Sequence, residues 1–326
     1  MRIIYAGSPA IAVPVLEALF PPGDEVLELA GVLTNPDRPR GRSGRPEPSD
    51  AGEAVEKFTS ACPALSPIPV FKFEKTGAEA REAVAVLKPD ILVSFAYGRI
   101  FGPKFLSLFP LGGINIHPSL LPKYRGASPI PQAILNRDSE TGISVQKLAL
   151  RMDSGDILLQ TRIPLDGRET TESLSHVVGE KAALLLPPLL RRIAAGESRS
   201  LPQDEGEASY CSLIEKDSGR IDWKRSAVEI DAMIRAYTPW PLSWTMEGER
   251  KLIILEGVPD NAGNVRPENV SAEPGKVLGV DKKRGILIQT GEGILVVSGL
   301  QYQARKALGF QAFLNGERHF LSAKLE

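Results

Sequence analysis

Short apolar runs alternate with helical patterns over the first half of the chain. RIIYAG (2–7) is apolar almost throughout, the pattern of a strand buried on both faces. A proline-started stretch over 9–20 predicts a helix, LELAGVLT (27–34) a second strand and PVFKF (69–73) a short third. AEAREAVAVLK (78–88) predicts a helix that Pro89 ends. DILVSFA (90–96) and GGINIH (112–117) predict central parallel strands. TGISVQKL (141–148) and DILLQTRIPL (156–165) alternate more and predict an edge pair. Strand, helix and strand in repetition predict an α/β, Rossmann-like domain with a mainly parallel sheet and helices on both faces. Ligands of such sheets gather at the carboxyl ends of the strands.

Residues 170–195 carry the last strong helical pattern, opened by Thr-Thr-Glu-Ser capping chemistry. AAGESRSLPQDEGEAS (194–209) is polar and aperiodic and reads as a linker. Beyond it the pattern changes. One helix is predicted over 226–237, followed by short strands over 251–258, 275–280, 285–290 and 293–300. Closely spaced short strands predict a small β-barrel of the oligonucleotide-binding (OB) type. The chain therefore divides into a first domain over 1–193, a linker over 194–209 and an OB-like domain over 210–326.

Composition narrows the class. The chain has 326 residues, 42% of them hydrophobic, enough for two ordinary domains with real cores. No apolar stretch approaches the roughly 20 residues that span a bilayer, and MRIIYAGSPA lacks the apolar run of a secretory signal. Two distant cysteines, Cys62 and Cys211, supply neither a disulfide framework nor a zinc site. A cytoplasmic location is expected, with no membrane and no obligatory protein partner. The net charge of −1 excludes a generally basic surface. Any polyanion must be met by local patches, of which Lys282-Lys283-Arg284, Arg305-Lys306 and the loop NPDRPRGRSGRP (35–46) are the candidates. That loop holds Arg38, Arg40, Arg42 and Arg45 against one aspartate, and proline and glycine keep them exposed. Arginine forks suit phosphate.

The chemistry is sparse enough to locate. The first strand ends AGSPAIAVP, with one glycine where a dinucleotide fingerprint needs three, and no P-loop lysine motif occurs. Of three histidines, His176 lies in a helical pattern and His319 near the C-terminus, whereas His117 ends a buried strand. Asn115 and His117 are two residues apart, so on a strand they share a face. An amide beside an imidazole can hold a carbonyl oxygen and move a proton. Asp153, in the Gly-containing turn LRMDSGDIL, is the best carboxylate partner, although Asp-Ser-Gly also makes ordinary turns. No ligand cluster for a metal is present.

INIHPSLLPKYRGASPI followed by TGISVQKLALRMDSGDIL resembles the signature of the 10-formyltetrahydrofolate-dependent formyltransferases. YAGSP, NPDRPRGR, IDW, IRAYTPWPLSW and GEGILVVSGLQ extend the resemblance over nearly the whole chain, toward the branch that acts on methionyl-tRNA. The resemblance implies Asn115, His117 and Asp153 as the catalytic trio, Ser119, Leu120, Leu121 and Pro122 as the folate-contacting loop, and the arginine loop, Arg42 above all, as a contact to the tRNA acceptor end. It implies 10-formyltetrahydrofolate as formyl donor, initiator methionyl-tRNA as acceptor and partner, and tRNA binding by the C-terminal barrel. Pro118, and Ser-Gly-Arg-Pro-Glu after Arg42, depart from the usual pattern of that branch. The alternative is a folate-dependent N-formyltransferase acting on a nucleotide-linked amino sugar, which would have no use for an acceptor-stem loop.

Overall fold

Seven strands form one sheet in the first of two structural units. The computed structural model describes residues 1–20, 24–39, 44–63, 66–260 and 273–326. Its first unit comprises Met1–Pro129, Glu140–Pro164 and Leu174–Ser212, and the second comprises Ile130–Ser139, Leu165–Ser173 and Leu213–Glu326.

In the first unit the strands are β1 (Arg2–Gly7), β2 (Glu28–Leu33), β3 (Val70–Phe71), β4 (Ile91–Phe95), β5 (Gly113–His117), β6 (Glu140–Lys147) and β7 (Ile157–Pro164). Their order is β7-β6-β5-β4-β1-β2-β3. β3, β2, β1, β4 and β5 run parallel; β6 is antiparallel to β5, and β7 to β6, the edge pair expected. Ile3, Ile4, Tyr5 and Ala6 are fully buried, as are Ile91, Leu92 and Val93. This is why those strands read as unbroken apolar runs. The strand order reverses at β1, so the crevice beyond Gly7, Phe95 and His117 is where a ligand of this architecture belongs.

The helices follow the pattern with additions, among them the short helices Pro103–Leu106 and Pro129–Leu135. The predicted first helix is a 3-10 turn (Ala10–Ala12) leading into α1 (Val13–Glu17), and the third-strand region is followed by α3 (Ala78–Ala85). Between them, α2 (Asp50–Ala61) was not predicted. It buries Ala51, Gly52, Ala54 and Val55. Its start is fixed locally, because the Ser49 hydroxyl accepts from the Gly52 amide at 3.1 Å. The long helix α4 (Thr171–Ala194) matches its expected span.

The segment read as a linker behaves differently from its composition. Leu201 exchanges backbone hydrogen bonds with Ile157 at 2.8 and 2.9 Å, and Tyr210–Cys211 run parallel to Arg125–Gly126. Ser200, Gln203, Glu205 and Ser209 in it bond to Lys147, Arg125 and Tyr124 of the first unit. At Gly126 the backbone has φ +117°, and a Cβ there would lie 2.2 Å from the Cys211 carbonyl oxygen. Only glycine lets the two chains meet.

In the second unit β8 (Ser243–Glu247), β9 (Arg250–Pro259), β10 (Val277–Asp281), β11 (Gly285–Gln289) and β12 (Ile294–Tyr302) form an antiparallel sheet of order β8-β9-β12-β11-β10. The amphipathic α5 (Ala227–Ala236) starts with a capping box between Ser226 and Glu229. The last residues join the two outer strands. Met246 of β8 and Glu326 exchange backbone hydrogen bonds at 2.9 and 3.0 Å, while Val277 and Gly275 bond to Ala323 and Leu325 at 3.1 and 2.9 Å. The sheet thereby closes into a barrel, and closure removes exposed strand edges. Thr245 links the closing strand inward: it accepts from the Trp223 indole at 2.9 Å and donates to the Glu326 carbonyl at 2.8 Å.

Leu325 is 2% exposed and anchors that closing segment. Replacing it with alanine should destabilise this unit by about 2–5 kcal/mol, through lost burial and a cavity. Trp223, Trp240 and Trp244 are the chain's three tryptophans and all lie in the second unit. Urea unfolding followed by tryptophan fluorescence therefore measures the loss, and an unshifted midpoint would show that closure does not depend on Leu325.

Candidate active site

β5 sets the site by alternation. Ile114 and Ile116 are buried on one face, so Asn115 and His117 occupy the other. Register with antiparallel β6 puts Gln146 opposite Asn115 and Ser144 opposite His117. Ser144 and Gln146 are 0% and 2% exposed, an uncommonly polar face for a buried strand. That alternation, polar at 144 and 146 between Ile143, Val145 and Lys147, was the signal in the sequence that could have disclosed Gln146.

Asp153 arrives from the β6–β7 turn with φ +50°, a left-handed conformation that aspartate tolerates better than most residues. Its Oδ1 accepts from Gln146 Nε2 at 2.9 Å and, at a longer 3.5 Å, from Asn115 Nδ2. Its Oδ2 accepts from the Gly126 amide at 2.9 Å and lies 3.7 Å from His117 Nδ1. The structure thus brings Asn115, His117 and Asp153 together at the carboxyl end of a central strand. The sequence missed Gln146, the Gly126 amide and the Tyr124 carbonyl around them. His176 and His319 are exposed and pair with glutamates elsewhere.

The state of His117 follows from its partners. Nε2 is 2.8 Å from the Tyr124 carbonyl oxygen, which can only accept, so Nε2 carries a proton. Burial pushes the His117 pKa below its ordinary value; the Asp153 carboxylate and the Tyr124 carbonyl oppose this without overcoming it. The ring is therefore neutral at pH 7, with its lone pair on Nδ1 facing Asp153. His117 is arranged to accept a proton at Nδ1, and the carboxylate 3.7 Å away stabilises the cation that results.

The loop after His117 is braced from within. The Ser119 hydroxyl donates to the Lys123 carbonyl at 2.5 Å, and Ser144 Oγ donates to the Ser119 carbonyl at 2.7 Å while accepting from the Leu121 amide at 3.0 Å. Ser119 and Leu121 are 0% and 3% exposed, so their side chains shape the loop, whereas Leu120 and Pro122 keep partial exposure.

Arg38 and Pro39 pair antiparallel with Glu47 and Pro46, which makes the base of the arginine loop a short ladder. Arg38 and Arg45 are exposed; Arg38 lies 3.6 Å from Glu74. Arg40 and Arg42 lie outside the described residues. Of the basic runs in the barrel, Arg284 is engaged by Asp260 at 2.6 Å and Asp281 at 2.9 Å. Among the described residues no group of three or more His, Cys, Asp or Glu could hold a metal, and no helix is long and apolar enough to cross a membrane.

Comparison with known proteins places the chain in a family. The family model for formyl transferase matches residues 1–190, and that for the formyl transferase C-terminal domain matches residues 213–318. The methionyl-tRNA formyltransferase of Treponema denticola is 45% identical over 327 residues, covering 100% of both chains. The chain belongs to the methionyl-tRNA formyltransferase family. Solved structures of similar fold include WlaRD, a sugar 3N-formyl transferase, with TM-score 0.62 and 19% identity over 94% of this chain and 99% of that one. Methionyl-tRNA formyltransferase from Clostridium thermocellum gives TM-score 0.55 and 16% identity over 80% of this chain and 94% of that one. Membership makes the chain a formyl-transferring enzyme.

Two outcomes follow from the site. Asn115→Ala should lower kcat by about 10²–10³-fold, the usual cost of one oxyanion donor, with little change in KM for the formyl donor. Steady-state kinetics with the donor varied checks this; near-normal kcat would remove Asn115 from the chemistry. A neutral His117 serving as proton acceptor predicts that kcat at saturating substrates falls only at acid pH, with a midpoint below the ordinary histidine value. A profile that falls as pH rises through neutrality would contradict the neutral ring.

Proposed function

We propose that this chain transfers the formyl group of 10-formyltetrahydrofolate to the α-amino group of initiator methionyl-tRNA, giving N-formylmethionyl-tRNA for translation initiation in the cytoplasm. The reading rests on one observation above others: a chain similar end to end to a methionyl-tRNA formyltransferase places Asn115, His117 and Asp153 at one point. WlaRD, a more distant protein of this fold, was solved in the presence of 5-N-formyl-THF, which supports a folate as formyl carrier. The donor set fits such a group, because the Asn115 amide has only a 3.5 Å contact and keeps donating capacity for an oxygen.

The formyl donor supplies an activated amide carbon. Asn115 donates a hydrogen bond to the oxygen on which negative charge develops when the amine attacks. His117 Nδ1 takes the proton that the attacking amine must lose, and Asp153 stabilises the imidazolium. The same proton can then return toward the departing folate nitrogen. Ser119, Leu120, Leu121 and Pro122 form the loop that borders the folate, with Ser119 and Leu121 fixing its shape. The first unit, to which residues 194–209 belong, carries the transfer chemistry, and the second, chiefly Leu213–Glu326, binds the tRNA. Arg38, Arg40, Arg42 and Arg45 grip the acceptor end, supported by the exposure of Arg38 and Arg45 at the loop base. No metal enters any step.

Incubating the protein with 10-formyltetrahydrofolate and either methionylated initiator tRNA or a nucleotide-linked amino sugar identifies the acceptor. Formylation of the tRNA is expected, and formylation of the sugar alone would overturn the reading. Arg42→Ala should raise KM for tRNA and leave folate affinity unchanged. It should also reduce the salt slope of tRNA binding by about one unit or less, the share of one phosphate contact. Parallel tRNA kinetics and folate binding on that variant make the check.

A further inference from the structure

Arg125 is the largest side chain in the described structure with no solvent exposure. A charge so removed from water is costly unless its donors are used. Its Nε and Nη2 both donate to Gln203 Oε1, at 3.0 and 2.8 Å. Nη1 and Nη2 donate to the two carboxylate oxygens of Glu205 at 3.1 and 2.8 Å, and Nη1 also reaches the Tyr210 hydroxyl at 3.1 Å. All three partners come from the polar segment over 203–210.

A guanidinium has donors only, so it fixes which way the Gln203 amide points. Oε1 faces the arginine, and Nε2 is left to donate to the Asp153 carbonyl at 2.8 Å, the Gly155 carbonyl at 2.7 Å and Gln146 Oε1 at 3.1 Å. Gln146 is fixed in turn: its oxygen faces Gln203, and its Nε2 donates to Asp153 Oδ1 at 2.9 Å. Flipping either amide would set donor against donor or acceptor against acceptor. Every bond therefore runs one way, from the guanidinium to the carboxylate. The turn has no slack to compensate, since a Cβ on Gly155 would lie 1.8 Å from the Lys147 carbonyl oxygen.

We propose that Arg125, Gln203 and Gln146 are positioning residues, a one-way hydrogen-bond chain that aims the Asp153 carboxylate at Asn115 and His117 and makes the docking of residues 203–210 a condition for formyl transfer. This deepens the functional reading above and rests on Asp153 belonging to the transfer site. A segment that looks like a spacer in sequence is, on this view, part of the machinery. Its amide side chains transmit orientation because an amide has distinct donor and acceptor ends.

Two near-isosteric variants test the chain. Gln203→Glu keeps an acceptor for Arg125 but loses the two N–H groups that Gln203 shares among the three acceptors beyond it. Gln146→Glu keeps its shape but sets an acceptor against Asp153. Each should lower kcat on methionyl-tRNA by about 10–100-fold, the scale of a small misplacement of reacting groups. KM for both substrates should stay within about threefold of wild type. The double variant should lose little more than the worse single one, because the second change acts on a chain already broken. Ring-carbon NMR of labelled protein, simple with only three histidines, should show the His117 titration midpoint moving upward in both variants. Wild-type protein that fails to formylate methionyl-tRNA would overturn the functional reading, and the histidine signal would then judge the chain alone. Losses that multiply in the double variant, a fall in activity explained by KM or by melting temperature, or an unmoved His117 midpoint would overturn the chain.

Discussion

The Asp153 carboxylate is the point on which the site depends. Three N–H donors converge on it, from Gly126, Gln146 and Asn115, and its second oxygen faces the lone pair of His117. These groups come from three stretches of chain that approach one another only because the sheet and its following loops hold them. Hydrogen bonds to a charged acceptor are worth more than neutral ones, about 1.5–3 kcal/mol each. The carboxylate thus stabilises the loop geometry that brings Asn115 and His117 together with it.

Burial of His117 complements that arrangement. A neutral imidazole donating from Nε2 to the Tyr124 carbonyl presents a base at Nδ1, and a carboxylate placed nearby favours the proton once it has arrived. The resting ring and the transient cation are each provided for by a different neighbour. Desolvation sets the first state and Coulomb attraction the second. The depressed pKa leaves the ring neutral at pH 7, and the nearby carboxylate is the group that would offset a charge on it.

Much of this was legible in the linear pattern. The strands that carry the site are apolar on both faces and short, so β1, β4 and β5 stand out. Asn115 and His117 stand out within β5 because polar residues at a two-residue spacing break an otherwise apolar run. α2 was missed: of its four buried residues only Val55 carries a strong hydrophobic signal. Gln146 was passed over because a polar residue in an alternating edge-like strand normally faces water. Residues 194–209 read as a spacer for the same reason: composition reports polarity, not what the polar groups are bonded to.

What the sequence by itself determined is therefore local and periodic: which stretches are strands, that Asn115 and His117 share one face of β5, and that the second unit is made of short strands. Backbone sterics and alternating burial act over a few residues, and a few residues suffice to read them. Tertiary structure alone decided the rest. It brought Asp153 across 38 positions to Asn115, enclosed Arg125 within a segment about 80 residues further on, and set the tautomer of His117 through a carbonyl oxygen. It also closed the barrel with the final residues. Hydrogen-bond polarity and desolvation depend on which groups meet in space, and no window along the chain contains that information.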